Sequence, residues 1–183
     1  MNIVTKTYFW LSFSLLLFLS CSDNTENDKK PLSTKEKQEK KEMLEKANKG
    51  LVKIHNERII QFAKRRKWNL TQTETGLWYE IYKTSNGVPV KTGDVVTLKY
   101  SIILLDGTLC YSSDSLGLKS FKVGQGGVES GLEEGILLLK NGDKARLVMP
   151  PYMAWGLPGD GDKIPPLSII AYILELVDVQ NEN

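Results

Sequence analysis

The chain has 183 residues, of which 41% are hydrophobic and 25% are charged. This length suits one medium domain with extensions or two very small ones, and the apolar fraction excludes a chain that is disordered throughout. The 24 basic side chains balance the 22 acidic ones, without the excess that is typical of nucleic-acid-binding proteins. One histidine and two cysteines exclude a His-rich metal site and a disulfide framework, so we expect no metal, cofactor or nucleic acid.

Residues 1–20 have the pattern of a secretory signal peptide. One charged residue, Lys6, precedes an apolar or hydroxyl-bearing run over residues 8–19, which is short of the roughly 20 residues that span a bilayer. Ser20 and Cys21 follow in an arrangement that resembles a bacterial lipobox. We therefore expect cleavage before Cys21 and a membrane anchor through lipid on that cysteine. An ordinary signal peptide with a chance cysteine and an uncleaved anchor are the alternatives.

The segment over residues 21–32 is polar, lacks aromatic residues and is predicted to be a flexible tether. Its acidic residues would either direct the lipoprotein to an outer membrane or cell surface, or merely keep the linker solvated. The sequence favours neither alternative.

A helical stalk is predicted over residues 33–68. Ser33 and Glu36 have the spacing of a capping box, and ten of the fifteen residues in 35–49 are charged with mixed signs, as in a solvated helix. The apolar side chains of the stalk share one face, which would pack on the following domain or form a dimer seam. They are Leu44, Ala47, Leu51, Ile54, Ile59 and Phe62.

Two further features of the stalk have a structural and a functional interpretation. The single histidine, His55, lies on the apolar face with no second ligand, which favours a packed residue over a metal or catalytic site. The basic triplet over residues 65–67 favours the end of a helix, where cations suit the helix dipole, over a phosphate-binding site.

From Leu77 the apolar residues recur with a period of two, which predicts β-strands. Strands are predicted over residues 77–82, 95–104, 143–149 and 169–179, and one helix over residues 129–140. This order predicts an α+β domain, with an antiparallel sheet and one short helix. Within the helix, Glu133 and Glu134 are adjacent and therefore point apart, so we expect solvated side chains rather than paired carboxylates.

A set of short motifs occurs in one order across residues 75–180. They are Thr92-Gly93-Asp94-Val95, Lys99-Tyr100, Asp106-Gly107, Phe121-x-Val123-Gly124, Gly131-Leu132-Glu133-Glu134-Gly135, Asn141-Gly142-Asp143-Lys144, Met149-Pro150-Pro151, Ala154-Trp155-Gly156, Ile164-Pro165-Pro166 and Glu175-Leu176. Each alone is common, but together and in register they resemble the FKBP family of peptidyl-prolyl cis-trans isomerases. The resemblance implies a half-barrel of five or six antiparallel strands wrapped around a short helix, over residues 72–183.

The lipobox, the stalk and this domain together look most like the gliding-motility-associated FKBP lipoproteins. The resemblance implies a peptidyl-prolyl isomerase anchored to the cell envelope, which assists the folding of exported proteins. Its partners would be proline-containing polypeptides and envelope or motility proteins, and no cofactor is implied.

The resemblance also assigns the pocket. The residues at family positions are Tyr100, Phe121, Val128, Leu132, Trp155, Ile164 and Tyr172, with Leu132 where the family often has Trp, Trp155 where it has Tyr, and Tyr172 where it has Phe. Periodicity alone favours the interpretation that these aromatic residues simply fill the interior of a barrel. The resemblance makes Tyr100 and Trp155 catalytic and the other five substrate-binding.

Three departures bear on activity. Cys110 and Tyr111 stand where the family usually has Phe-Asp, which removes an ordering carboxylate and reduces an aromatic wall to a thiol. Glu129 places a charge where an apolar residue is expected. We interpret Cys110 as a small buried wall residue rather than a redox centre, and Tyr111 as a replacement wall with a catalytic hydroxyl. The alternatives to an isomerase are a binding module for proline-containing or hydrophobic segments and a purely structural lipoprotein stalk.

Overall fold

The computed structural model describes residues 33–180. Contacts divide the chain into two compact units, with the boundary between Glu42 and Met43. A long helix, α1 (Thr34–Arg66), runs through this boundary. The predicted capping box is present at its start, because the Ser33 N–H donates to the Glu36 carboxylate (2.8 Å) and the Glu36 N–H donates to Ser33 Oγ (3.3 Å).

The rest of the second unit is built on one antiparallel sheet. Its elements in chain order are β1 (Thr71–Gln72), β2 (Trp78–Lys83), β3 (Val95–Leu104), β4 (Leu109–Ser112), α2 (Ser113–Leu116), β5 (Lys119–Lys122), α3 (Ser130–Ile136), β6 (Lys144–Met149), a 3₁₀ helix (Pro151–Met153) and β7 (Ile170–Gln180). The strand order is β1-β2-β6-β7-β3-β4, and β5 also pairs with β3. The predicted α+β class, with an antiparallel sheet, one short helix against it and a preceding long helix, is confirmed.

The sheet has seven strands rather than the five or six expected, because one edge strand is split. On one side, β3 pairs with β7 along its whole length. On the other side, β4 pairs with the second half of β3 and β5 with the first half. Between β4 and β5 lie α2 and Gly117, whose φ of 80° belongs to the left-handed region that glycine enters without strain.

Helix α3 ends at Ile136, four residues before the predicted end. After it, the Leu138 and Leu139 N–H groups donate to carbonyls only three residues back. The Leu139 carbonyl accepts from Val90 N–H (3.1 Å), so the chain leaves the helix to pair with a loop distant in sequence. The local pattern of the apolar run over residues 136–139 fits a helix, but after Ile136 the chain forms tight turns and then pairs with the loop at Val90.

The main core lies on the inner face of the sheet. Val96, Leu98, Tyr100 and Ile102 alternate along β3 and are all buried, as the period of two predicted. Helix α3 closes this core, and its glycines allow a close approach: a Cβ at Gly131 would lie 2.8 Å from Met149 Cγ.

A second, smaller core lies where the end of α1 meets other sheet residues. It contains Ile59 and Phe62 from the helix, packed with Ile103, Val148, Ile169 and Ala171. Only this end of the predicted apolar face is buried. Leu44, Ala47, Leu51 and Ile54 are exposed, because the sheet offers apolar partners to the last turns of the helix alone.

The sequence left two features of α1 open, His55 and the basic triplet over residues 65–67, and the structure shows the surroundings of both. His55 is buried, and burial together with the positive charge of Arg58 lowers the pKa of its imidazole. The helix ends at Arg66, whose guanidinium lies over the rings of Phe62 (4.9 Å) and Trp68 (5.6 Å). Both observations favour the structural interpretations.

Candidate active site

All nine residues that the sequence assigns to the pocket belong to the main core on the inner face of the sheet or pack against it. Five are buried members of it: Tyr100, Cys110, Leu132, Ile164 and Tyr172. Four are partly buried and pack against them: Tyr111, Phe121, Val128 and Trp155. They come from β3, β4, β5, α3, β7 and the connecting loops. Aromatic and aliphatic side chains that are distant in sequence therefore contribute to the same apolar core.

Two tyrosines form the interior of this cluster. The rings of Tyr100 and Tyr172 are 6.0 Å apart between centroids and tilted by 38°. Burial raises the pKa of both phenols, and the nearby charge of Glu129 raises both further. Both hydroxyls therefore remain protonated at neutral pH and can donate hydrogen bonds.

Glu129, the unexpected charge, is held by partners that the sequence analysis missed. Glu129 is 8% exposed, and its Oε1 accepts a hydrogen bond from the Tyr172 hydroxyl (2.9 Å). The Lys119 ammonium lies 3.6 Å from Glu129 Oε2 and donates to the Tyr172 hydroxyl (3.2 Å). Lys119 could have been found in the sequence, because it lies two residues before Phe121 in a strand and so shares its face.

The loop over residues 157–166 has a second residue that sequence reasoning missed. Asp160 Oδ1 accepts hydrogen bonds from the N–H groups of Asp162 (2.9 Å) and Ile164 (2.8 Å). The Tyr111 hydroxyl donates to Asp160 Oδ2. Asp160 thus holds both the loop that carries Ile164 and the side chain that replaces the family's aspartate.

The Tyr111–Asp160 bond changes the acidity of both groups. It raises the pKa of Tyr111 to about 12, with burial adding to the effect. Burial opposes ionisation of Asp160, but the hydrogen bonds from Tyr111 and the loop N–H groups outweigh it and lower the pKa of the carboxyl. The hydroxyl of Tyr111 is therefore committed to Asp160 in the structure, as a contact that orders the loop.

Cys110 has the environment of a packed residue. It is buried, and its thiol lies 3.5 Å from the Lys163 carbonyl oxygen. Burial raises the pKa of this thiol, and the charges of Asp160 and Asp106 raise it further. These conditions disfavour the reactive thiolate.

Glu133 and Glu134 do not form a carboxylate pair, as expected, and each side chain also accepts hydrogen bonds from a loop. The Glu133 carboxylate accepts hydrogen bonds from the N–H groups of Gly124 (2.7 Å) and Gly126 (3.1 Å). The Glu134 carboxylate accepts one from the Thr75 hydroxyl (2.7 Å). They do point apart, as adjacent helical residues must, but each reaches a different loop and fixes it to α3.

Within residues 33–180, no group of three or more His, Cys, Asp or Glu side chains is placed to hold a metal ion. No helix in this part of the chain is long and apolar enough to cross a bilayer. The signal peptide, Cys21 and the tether lie outside the described residues.

The chain is similar to known proteins in sequence. The family model described as FKBP-type peptidyl-prolyl cis-trans isomerase matches residues 87–177. FK506-binding protein 2 of Yarrowia lipolytica is 34% identical over 114 residues, which cover 62% of this chain and 79% of that protein. The probable FKBP-type peptidyl-prolyl cis-trans isomerase FkpA of Neisseria meningitidis is 32% identical over 158 residues, 85% of this chain and 57% of that protein.

Solved structures show the same fold. The crystal structure of AtFKBP13 matches with a TM-score of 0.58 and 26% identity, over 60% of this chain and 98% of that one. The crystal structure of FkpA from Escherichia coli matches with a TM-score of 0.59 and 26% identity, over 98% of both chains. The second match includes the long helix that precedes the sheet.

Proposed function

Because the chain belongs to the FKBP-type peptidyl-prolyl cis-trans isomerase family, we propose that the cluster around Tyr100 is where it isomerises Xaa-Pro bonds of polypeptides. One observation carries this proposal. The nine residues at family pocket positions all belong to the main core or pack against it, and two of them are buried tyrosines whose ring centroids are 6.0 Å apart.

Such a site suits the reaction. Rotation about an Xaa-Pro bond takes tens to hundreds of seconds unaided, and it needs no nucleophile, because no bond between heavy atoms forms or breaks. The barrier falls when the conjugation between nitrogen and carbonyl is weakened. Apolar walls favour the twisted, less dipolar amide over the planar, solvated one, and a few donors can hold the rotating carbonyl.

The residue roles in this proposal are those that the resemblance to the family implies. Tyr100 and Trp155 would act as catalytic donors through the phenol O–H and the indole N–H. Phe121, Val128, Leu132, Ile164 and Tyr172 would bind the proline-containing segment, with Cys110 as a wall residue. Tyr111 would act on the site through the loop that it holds with Asp160.

Exchange NMR on a short Xaa-Pro peptide tests the proposal with the purified full chain. We expect acceleration by the wild type and a loss of roughly 10- to 100-fold in the double variant Tyr100→Phe, Trp155→Ala, because two hydrogen-bond donors disappear from the pocket. Tyr82→Phe, at an exposed position on β2, is the matched control and should retain full activity. A folded wild type without acceleration would contradict the isomerase assignment.

A binding module without catalysis is the second candidate, and the polar contents of the pocket favour it. Cys110 is smaller than the aromatic side chain usual in the family, and an ion pair occupies part of the interior. In the same NMR experiment, this module would shift the peptide resonances on binding but leave the exchange rate unchanged.

We further propose that the isomerase is exported and anchored to the cell envelope. The supporting observations are the apolar run before Ser20 and the lipobox-like position of Cys21. In this organisation, residues 1–20 are a signal peptide, 21–32 a tether, 33–68 a stalk and 72–183 the isomerase domain. Its substrates would be exported proteins, including those of a motility apparatus. The proposed link to motility rests on the resemblance to gliding-motility lipoproteins.

The anchor has a direct test. Replacing Cys21 with Ser should move the protein from the membrane fraction to the soluble fraction and abolish labelling by a radioactive fatty acid, since the acylated thiol is gone. Cys110→Ser is the matched control, because Cys110 is buried. This substitution should leave both the membrane association and the fatty-acid labelling unchanged. Retention of Cys21→Ser in the membrane would contradict a lipid anchor.

A further inference from the structure

Lys119 lies on the inner face of the sheet. On β5 it is the cross-strand partner of Leu98, just as Phe121 is the partner of Val96. Leu98 and Val96 are fully buried residues of β3 that point into the main core. Because side chains on paired positions of adjacent strands share a face, Lys119 must point into the region of the proposed pocket.

The ammonium of Lys119 sits over the aromatic interior. Its Nζ lies 5.7 Å from the ring centroid of Tyr100 and 5.7 Å from that of Tyr172. The side chain is 27% exposed, while that of its partner Glu129 is 5% exposed. The pair thus has one member buried in the interior and one that reaches the accessible part of the site.

The contacts with Tyr172 and Glu129 do not use all the hydrogen-bond donors of the Lys119 ammonium. Lysine carries three N–H groups. One donates to the Tyr172 hydroxyl, which in turn donates to Glu129 Oε1. The approach of 3.6 Å to Glu129 Oε2 is an ion pair, and this oxygen has no hydrogen-bond partner among the described residues. A charged donor is therefore fixed beside two pocket tyrosines with a proton free for an acceptor.

We propose that Lys119 is a further substrate-binding residue of this site, whose ammonium donates a hydrogen bond to a carbonyl oxygen of the bound Xaa-Pro segment. Glu129 and Tyr172 are positioning residues that hold the ammonium. The inference rests on the proposed function, since it assigns the contact to the same pocket. The ion pair of Lys119 and Glu129 is neutral overall, so the buried glutamate adds no net charge to the interior.

The contact suits the reaction. Hydrogen bonds from a charged donor are roughly twice as strong as neutral ones, and a site shielded from water strengthens them further. As the amide twists, its carbonyl oxygen moves past walls that are mostly apolar. The Lys119 ammonium, which Tyr172 and Glu129 hold in place, is a preorganised donor for that oxygen.

A double-mutant cycle on the full chain tests the contact. Lys119→Met should lower kcat/KM by about 10-fold or more, because the charged donor is lost. The double variant Lys119→Met, Glu129→Gln removes both charges, so it restores the electrostatic balance of the interior and should fold even if the single variant does not. We expect it to remain as impaired as Lys119→Met. Glu129→Gln alone retains the ammonium and should keep more activity than either.

Lys99→Met is the matched control. Lys99 lies next to Tyr100 on β3 but is exposed and paired with exposed Asp114, so its removal should leave kcat/KM unchanged. Wild-type activity in Lys119→Met, or recovery in the double variant, would overturn the proposal, because Lys119 would then serve only to neutralise Glu129. A greater loss in Glu129→Gln than in Lys119→Met would overturn it as well.

The experiment separates this inference from the proposed function. If the folded wild type binds the peptide without accelerating exchange, the isomerase assignment fails and the cycle is scored by peptide affinity from NMR titration. Lys119→Met and the double variant should then bind about 10-fold more weakly than the wild type. Equal affinity would overturn the contact itself.

Discussion

Replacing Phe62 with Ala should lower the free energy of unfolding by about 3–5 kcal/mol. The Phe62 side chain is 1% exposed and lies on the apolar face of the stalk, which the sequence predicts to pack on the following domain or to form a dimer seam. Its ring packs edge-on against Trp68, at 5.1 Å between centroids, and belongs to the same small core as Val148 and Ala171 of the sheet. Truncation would leave a cavity between α1 and strands β6 and β7.

Chemical denaturation followed by circular dichroism measures this effect. Leu44→Ala is the matched control on the same helix, because Leu44 is 54% exposed and its truncation should change the unfolding free energy by no more than about 0.5 kcal/mol. Equal, small effects of both substitutions would mean that α1 does not unfold together with the sheet. The predicted difference also implies that a fragment beginning at residue 72 lacks part of its core.

Replacing Gly159 with Ala should disrupt the loop that carries Ile164 and lower kcat/KM by about 10-fold or more, since small displacements of positioning groups have effects of this size. Gly159 has a φ of +71°, and an added Cβ would overlap the Ile164 carbonyl oxygen and lie 2.8 Å from Pro165 C. These are backbone atoms, which cannot rotate away. The same carbonyl accepts the Asp160 N–H (3.1 Å), so relieving the overlap also breaks the bond that closes the loop.

Gly161→Ala separates this close approach from backbone strain. Gly161 has a similar φ of +78°, but nothing lies within 4 Å of an added Cβ. Its substitution should cost only the left-handed penalty of about 1–2 kcal/mol and leave kcat/KM within a few-fold of the wild type. The exchange assay on an Xaa-Pro peptide compares the two variants. Equal activities would show that the contact between Gly159 and Ile164 does not position the site.

Local sequence patterns were enough to predict several features of this protein. The alternation along β3 predicted which side chains are buried, because a strand exposes its two faces in turn. The Ser33–Glu36 spacing predicted the start of α1, because a capping box needs only neighbouring residues. The ordered motifs around Tyr100 and Ile164 indicated the family and the pocket residues, which the fold brings into one cluster. Catalytic roles for these residues stay predictions.

Only the tertiary structure decided the partners of the charged groups and the ends of some elements. Lys119, Glu129 and Tyr172 lie on different elements, and their chain of contacts exists only once β5, β7 and the loop before α3 are assembled. Asp160 meets Tyr111 from a loop 49 residues away. Helix α3 ends four residues before the predicted end, and the segment that follows it pairs with the distant loop at Val90. The spacing of apolar residues in the sequence shows which face of a strand or helix is apolar. Which distant residues this face packs against, and which partners the charged side chains bind, depends on the assembled sheet.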